Sequence, residues 1–171
     1  GTVWEHTMAV LEGTKDDNMI LRISALLHDI GKIRVCTEED GKIHFLKHEL
    51  KSGEMIDELL RPLKFSNEII KEVTFLVRNH MICKTWGSEC EYMKDKKLRR
   101  LQYECKTEER FRNLMTIIDA DNNAYAADKC MPKQVEFILS RTEAMKAEGS
   151  AMFGYKLPLT GKEIMDLKGI K

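Results

Sequence analysis

Apolar residues recur three and four positions apart through most of the chain, which is the spacing of one face of an α-helix. Only three prolines interrupt this pattern, and capping residues such as Ser66 and Thr107 stand just before apolar runs. The predicted helices cover residues 3–11, 17–31, 47–60, 66–80, 107–121, 132–149 and 164–167. The pattern therefore predicts an all-α fold.

One segment, residues 33–45, breaks the helical period. Asp40-Gly41 stands between Val35 and the alternating pair Ile43 and Phe45, and Asp-Gly between alternating apolar residues is typical of a tight β-hairpin. We expect a small hairpin inserted into the helical bundle, as a local excursion and not part of a sheet.

The ends of the predicted helices carry several residues of chemical interest. Gly31 follows the second apolar run and is expected to end that helix in the left-handed conformation, which places His28 and Asp29 on its last turn. His48 and His80 each lie at one end of a later helix. The pattern thus places His28, His48 and His80 at the ends of predicted helices.

A chain of 171 residues is the size of one domain. We expect residues 1–149 to form that domain and residues 150–171 to form a C-terminal arm, in which residues 160–163 have the form of a capping box for a short helix. The abrupt beginning and end of the sequence suggest a piece of a longer protein.

Charge and cysteine content narrow the class of protein. Lys plus Arg and Asp plus Glu both number 28, so the chain as a whole has no strong attraction for nucleic acid or an anionic membrane. No apolar run reaches the roughly 20 residues that span a bilayer. The five cysteines are odd in number and include no CxxC pair, which argues against a disulfide framework and favours a cytoplasmic protein.

The histidines and two aspartates stand in an order that suits metal binding. Imidazoles and carboxylates can hold one or two divalent ions, and such ions promote the hydrolysis of phosphate esters. Mixed nitrogen and oxygen ligands suit Mn, Fe, Co, Ni or Zn better than Mg, although Mg is possible. The candidate metal ligands are His6, His28, Asp29, His48, His80 and Asp121.

Two residues of this region are candidates for a direct part in catalysis. Asp29 can offer one oxygen to each of two ions. Lys32, just beyond Gly31, can approach a substrate phosphate, although a solvated lysine after a helix explains it equally well. We therefore expect Asp29 and Lys32 to be catalytic residues.

The segment Leu26-Leu27-His28-Asp29-Ile30-Gly31-Lys32, with a histidine upstream and Ala120-Asp121 downstream, resembles the HD superfamily of metal-dependent phosphohydrolases. The resemblance covers residues 4–127. It implies an HD-domain helical bundle in which His6, His28, Asp29 and Asp121 form a first metal set and His48 and His80 complete a second. The implied activities are those of a phosphodiesterase, phosphatase or nucleotidase, including action on 2′,3′-cyclic phosphates.

Within that superfamily the chain most resembles the HD domain of bacterial tRNA nucleotidyltransferases, the family of CCA-adding enzymes and poly(A) polymerases. The segments that carry this narrower resemblance are residues 3–7, 45–49 and 157–165. The last resembles the segment that leads those proteins into their tRNA-binding region. The resemblance implies nucleotide or RNA phosphate esters as substrates and tRNA as a partner of the full-length parent. The nucleotidyltransferase head of that family is not in this sequence, so we do not expect nucleotide addition from this chain.

Several alternatives remain open at this stage. Asp119 competes with Asp121, and we choose Asp121 because it follows alanine as in the family. A basic cluster could contact tRNA, but a solvated helix face explains it better; its members are Lys94, Lys96, Lys97, Arg99 and Arg100. The chain could also be a non-catalytic helical platform that positions tRNA, or a nucleotide-sensing domain. Trp4 and Trp86 are expected to pack in the interior, with stacking on a base as the less favoured alternative. His44 is expected to be exposed and unrelated to the site.

Overall fold

The computed structural model describes residues 2–14, 18–126 and 129–150, together with Phe153 and Met165. These residues form eight α-helices and one two-stranded antiparallel sheet. The helices are α1 (Val3–Gly13), α2 (Met19–Leu27), α3 (Lys32–Val35), α4 (His48–Leu60), α5 (Asn67–Asn79), α6 (Asp95–Cys105), α7 (Glu108–Asn123) and α8 (Gln134–Ala147). The strands are β1 (Thr37–Glu39) and β2 (Lys42–His44). The predicted all-α fold with a small hairpin is therefore confirmed. The predicted short helix at 164–167 lies outside the described residues, apart from Met165.

Polar caps fix where several helices begin. The Thr2 hydroxyl accepts the Glu5 backbone N–H and the Glu5 carboxylate accepts the Thr2 backbone N–H, so α1 starts in a reciprocal capping box. Ser66 and Thr107 cap α5 and α7 as predicted. Asn18 caps α2, and the predicted cap Asp17 lies outside the described residues.

The hairpin follows the sequence prediction closely. Thr37 pairs with His44 and Glu39 with Lys42. Asp40 and Gly41 form the turn with φ values of 51° and 72°, and two consecutive positive φ values match the right-handed twist of the strands. The hairpin is a short excursion between α3 and α4.

Two apolar clusters hold the helices in place. The larger cluster centres on α7, whose Leu114 and Ile117 are fully buried against residues of α1, α2, α5, α6 and α8. The smaller one joins α4 to α5 through Ile56 and Val73. Trp86 lies in the larger cluster, as expected, but Trp4 is 67% exposed. The prediction that Trp4 packs in the interior is therefore wrong, because it lies on the outward face of α1.

Helix length and polarity bear on any relation to a membrane. The longest described helix, α7, has 16 residues and contains both acidic and basic side chains. Among the helices that the structure describes, none has the length and apolar character needed to cross a bilayer.

Gly31 has a different role from the one predicted. Its φ of −66° is that of a right-handed helix, so it is not a left-handed stop. A Cβ at this position would lie 2.4 Å from the Ser52 backbone N and 2.6 Å from the His48 carbonyl oxygen. The Gly31 N–H also donates to the Ser52 hydroxyl at 2.9 Å. Glycine is needed because the turn after His28 and Asp29 lies directly against the first turns of α4.

We predict that Gly31→Ala lowers the free energy of unfolding by more than about 2 kcal/mol, because the added methyl group meets backbone atoms that cannot move aside. Urea unfolding of the metal-free protein measures this change. Gly41→Ala is the control: nothing lies within 4 Å of its added Cβ, so only its positive φ contributes, at about 1 kcal/mol. Equal losses in the two variants would contradict the steric explanation.

Candidate metal centre

The structure brings all six predicted metal ligands together from five helical regions. His6 lies within α1, and Asp121 lies within α7. His28 and His80 are the C-caps of α2 and α5, while His48 is the first residue of α4. Asp29 follows His28 in the turn that Gly31 allows to approach α4. The ends of α2, α4 and α5 therefore meet side chains from within α1 and α7 at this cluster.

Asp29 lies at the centre of this cluster, and its two carboxylate oxygens face different histidines. Oδ2 is 3.2 Å from His28 Nε2 and 3.7 Å from His6 Nε2. Oδ1 is 3.1 Å from His48 Nε2 and 3.9 Å from His80 Nε2. His6, His28 and Asp29 thus form one group able to hold an ion, and Asp29, His48 and His80 form a second.

Asp121 joins the first of these groups. Its Oδ1 lies 3.0 Å from His6 Nε2 and 3.8 Å from His28 Nε2. Asp119, two residues earlier on α7, lies elsewhere: its carboxylate accepts a hydrogen bond from Asn123, and burial raises its pKa. The structure therefore places Asp121, and not Asp119, beside the histidines.

Backbone carbonyls fix the orientation of the three most buried imidazoles. Nδ1 of His28 donates to the Ala25 carbonyl at 2.8 Å, and Nδ1 of His48 donates to the Phe45 carbonyl at 2.9 Å. Nδ1 of His80 donates to a third carbonyl, that of Val77, at 2.6 Å. A carbonyl oxygen can only accept, so the ring proton lies on Nδ1 and each neutral ring directs an unprotonated Nε2 at Asp29.

Charge states in the cluster favour ligands for a cation. Burial by itself would raise the pKa of Asp29, but its contacts with His28, His48 and Lys32 outweigh burial and lower the pKa. The same balance, with His6 and Lys84 as the main partners, lowers the pKa of Asp121. Burial lowers the pKa of His80 to about 4, so this ring is neutral at pH 7. Although burial opposes it, the contact of His48 with Asp29 raises the pKa of His48.

The donor set fits a bound cation. Nε2 of His48 and Nε2 of His80 are buried and find no hydrogen-bond donor among the described residues. His48 Nε2 faces Asp29 Oδ1. When the His48 ring is neutral with its proton on Nδ1, both of these atoms are acceptors. Buried acceptors that converge without donors are costly unless a proton or a cation lies between them. One or two divalent ions satisfy this arrangement.

Two lysines each contact one carboxylate of the cluster. Lys32, a predicted catalytic residue, places Nζ 2.5 Å from Asp29 Oδ2. Lys84, which the sequence analysis did not find, places Nζ 3.0 Å from Asp121 Oδ2 and 4.6 Å from the centre of the Tyr125 ring. Tyr125 also packs against the His6 ring. No motif marks Lys84 or Tyr125, and the only available signal was that Lys84 follows His80 by four residues.

Other predicted polar residues lie outside the cluster. His44 is half-buried, so the expectation that it is exposed is wrong; it belongs to neither metal group. In the basic cluster, Arg100 pairs with Glu104 and Arg99 approaches Asp95, both on α6 itself. This local pairing is typical of a solvated helix face.

A surface cleft opens beside the cluster and gives it access to solvent. Its volume is about 580 Å³, which is in the range of pockets for small ligands. His6 and Lys32 lie in its wall, together with the rings of Phe45 and Tyr125 and the side chain of Lys129. The cleft thus combines the cationic side chains of Lys32 and Lys129 with two aromatic rings, and the carboxylate of Glu5 also lies in its wall.

Comparison with known proteins agrees with this geometry. A family model described as the HD domain matches residues 2–123. Part of the chain is 34% identical over 84 residues to the CC-adding tRNA nucleotidyltransferase of Thermus thermophilus. That match covers 46% of this chain and 19% of the relative, so the chain matches only a small part of the length of this curated relative.

We predict that each metal group holds one ion and that Asp29 serves both. Two equivalents of Mn²⁺ or Co²⁺ should bind the wild-type protein, one should bind His80→Ala, and neither should bind tightly to Asp29→Ala. Isothermal titration calorimetry measures the stoichiometry, and thermal unfolding shows whether each variant is folded.

His44→Ala is the matched control for this experiment, since it removes a histidine from outside both metal groups. It should bind as much metal as the wild type. A full two equivalents in His80→Ala would contradict the assignment of His80 to the second group.

Proposed function

Because the chain belongs to the HD-domain family, we propose that its metal centre hydrolyses phosphate esters of nucleotides or RNA ends with the help of one or two divalent ions. Metal-dependent phosphohydrolase activity is general in that family, and its members bind divalent metals. The finer proposal concerns the residues that do this and the substrates they accept. The Mn, Fe, Co, Ni or Zn ions expected from the donor set remain the proposed cofactors.

The observation that carries the proposal is the division of Asp29 between two groups of histidines. One carboxylate oxygen faces His6 and His28, and the other faces His48 and His80. A non-catalytic platform for tRNA does not need buried imidazoles that meet at one carboxylate. Burying so many polar groups together has an unfavourable free energy, so their presence supports a catalytic site.

The side chains of the site divide the work of a phosphoester hydrolase. Divalent ions, when bound, lower the pKa of water and neutralise charge on phosphoryl oxygens. Asp29 and Asp121 supply anionic oxygens, and the carbonyl-anchored imidazoles hold their nitrogen lone pairs in place. Lys32, at the wall of the cleft, binds a phosphoryl oxygen of the substrate and stabilises negative charge that develops there.

The cleft supports nucleotides or RNA ends as the substrate class. Lys32 and Lys129 supply positive charge for phosphates, and the volume suits a group of nucleotide size. The similarity to a CC-adding tRNA nucleotidyltransferase supports an RNA end as the physiological substrate and a tRNA nucleotidyltransferase-related protein as the parent, with tRNA as its partner. The proposed reactions include the opening of 2′,3′-cyclic phosphates.

The protein loaded with Mn²⁺, Co²⁺ or Ni²⁺ should hydrolyse bis(p-nitrophenyl) phosphate and 2′,3′-cyclic AMP. Asp29→Ala and Asp121→Ala should reduce the rate to that of the metal-free protein, because each removes a carboxylate that faces the histidines. Steady-state rates, followed by absorbance or chromatography, measure the effect.

Asp119→Ala is the matched control, because it removes an aspartate from the same helix but from outside the cluster. Its rate should stay within about threefold of the wild type. Equal rates for the wild type and Asp29→Ala would reject the proposed hydrolase, and salt-dependent tRNA binding without turnover would favour the platform. Tight nucleotide binding without hydrolysis would favour a sensing domain.

We predict that Lys32→Met lowers kcat by about 100-fold, which is the usual effect of removing a donor that stabilises developing charge. The variant should still bind metal, because all six ligands remain. Lys42→Met, on the exposed strand β2, is the control and should keep wild-type kcat. A wild-type kcat in Lys32→Met would show that this lysine has no direct part in catalysis.

A further inference from the structure

Lys84 and Lys32 make similar contacts with two different aspartates of the metal centre. Each places its ammonium on Oδ2 of one cluster aspartate and close to one aromatic ring. Both side chains are largely covered, with exposures of 15% for Lys32 and 19% for Lys84. The two lysines differ in the surroundings of the aspartate oxygen that each contacts, and in their other hydrogen-bond partners.

Lys32 contacts an oxygen that the proposed metal ion also needs. Asp29 Oδ2 is the atom that lies 3.2 Å from His28 Nε2, so an ion in the first group competes directly with the Lys32 ammonium for it. Asp29 is the only hydrogen-bond partner recorded for Lys32 Nζ among the described residues. Lys32 is therefore able to turn into the cleft when a metal ion binds Asp29 Oδ2.

Lys84 contacts the carboxylate oxygen of Asp121 that is not the one nearest to His6 and His28. Asp121 presents Oδ1 to His6 and His28, while its Oδ2 lies 3.0 Å from Lys84 Nζ. Lys84 Nζ also donates to Asn122 Oδ1 at 2.9 Å. An ion in the first group can use Oδ1 without displacing Lys84.

A buried chain of hydrogen bonds holds Lys84 in this position. Asn122 Nδ2 donates to Gln134 Oε1 at 3.0 Å. Gln134 Nε2 in turn donates to the carbonyls of Cys83 and Gly87, at 3.0 and 2.7 Å, which flank the turn that carries Lys84. Asn122 and Gln134 are fully buried. Gln134 begins α8, which lies beyond the residues matched by the family model.

We propose that Lys84, fixed by Asn122 and Gln134, is a positioning residue that restricts Asp121 to one oxygen toward the first metal group and lowers the negative charge of that group. This inference rests on the proposed metal-dependent function. As a consequence, the centre binds metal less tightly than it would if Asp121 offered both carboxylate oxygens. The coordination position that the second oxygen would take stays available to substrate. The helix α8 is thereby part of the catalytic unit.

The test measures Co²⁺ affinity in the wild type, Lys84→Met and Lys84→Arg. Removing the ammonium frees Asp121 Oδ2 and removes a nearby positive charge, so Lys84→Met should bind Co²⁺ about tenfold more tightly. Its visible cobalt absorption should also weaken, because a higher coordination number lowers the intensity. Lys84→Arg keeps the charge and should retain wild-type affinity and spectrum.

If Lys84 only held Asp121 in place, its removal would loosen Asp121 and weaken Co²⁺ binding, which is the opposite result. Unchanged or weaker Co²⁺ binding in folded Lys84→Met would overturn the proposal. Lys129→Met is the matched control, because it removes a lysine from the cleft wall that has no recorded bond to Asp29 or Asp121. It should change Co²⁺ affinity less than twofold, well below the tenfold expected above.

Lys84→Gln serves as the second variant should Lys84→Met not fold, and it too should bind Co²⁺ more tightly. The proposed function is rejected separately from the role of Lys84 if the wild type binds Co²⁺ but hydrolyses neither the phosphodiester nor the cyclic nucleotide. The comparison of Lys84 variants stands in that case, because its readouts are affinity and absorption. A wild type that binds no Co²⁺ at all would reject this proposal together with the metal centre.

Discussion

The meeting of several imidazole lone pairs at one buried carboxylate is the constraint on which the rest of the structure depends. Asp29 and its histidines lie in an interior region where acceptor atoms face acceptor atoms. In a metal-free protein this arrangement has an unfavourable free energy, because few donors and little water can satisfy it. The fold must therefore hold these side chains in place with interactions formed elsewhere, and the apolar contacts of α7 and of the α4–α5 pair supply them.

One local rule orients most of the site. His28, His48 and His80 each donate Nδ1–H to the carbonyl three residues earlier in the chain. The last carbonyls of a helix have no intrahelical partner, so a histidine that caps a helix C-terminus satisfies one of them and directs Nε2 outward. His28 and His80 use this rule directly, whereas His48 uses a carbonyl that precedes its helix. The backbone thus selects the tautomer as well as the direction of the ring.

The sequence predicted most helices, the hairpin and the set of residues that gather, because apolar spacing and capping residues are local signals. It missed α3, which is four residues long, and it identified α6 only as a basic helix face without bounds, because the charged composition masks a narrow apolar face. It also assigned Gly31 the wrong role, because the close approach of α4 is a tertiary contact without a local signature. Lys84 was missed for the same reason: its partners lie 37 and 38 positions further along the chain.

The six side chains of the metal centre come from stretches of chain that extend from α1 to α7. No partly unfolded form that loses one of these helices keeps the full set. Any ion held there is therefore thermodynamically linked to global unfolding, and it stabilises the native state by about 2.7 kcal/mol when its free concentration is about 100 times its dissociation constant. The free concentration of such an ion would then determine what fraction of the protein is folded.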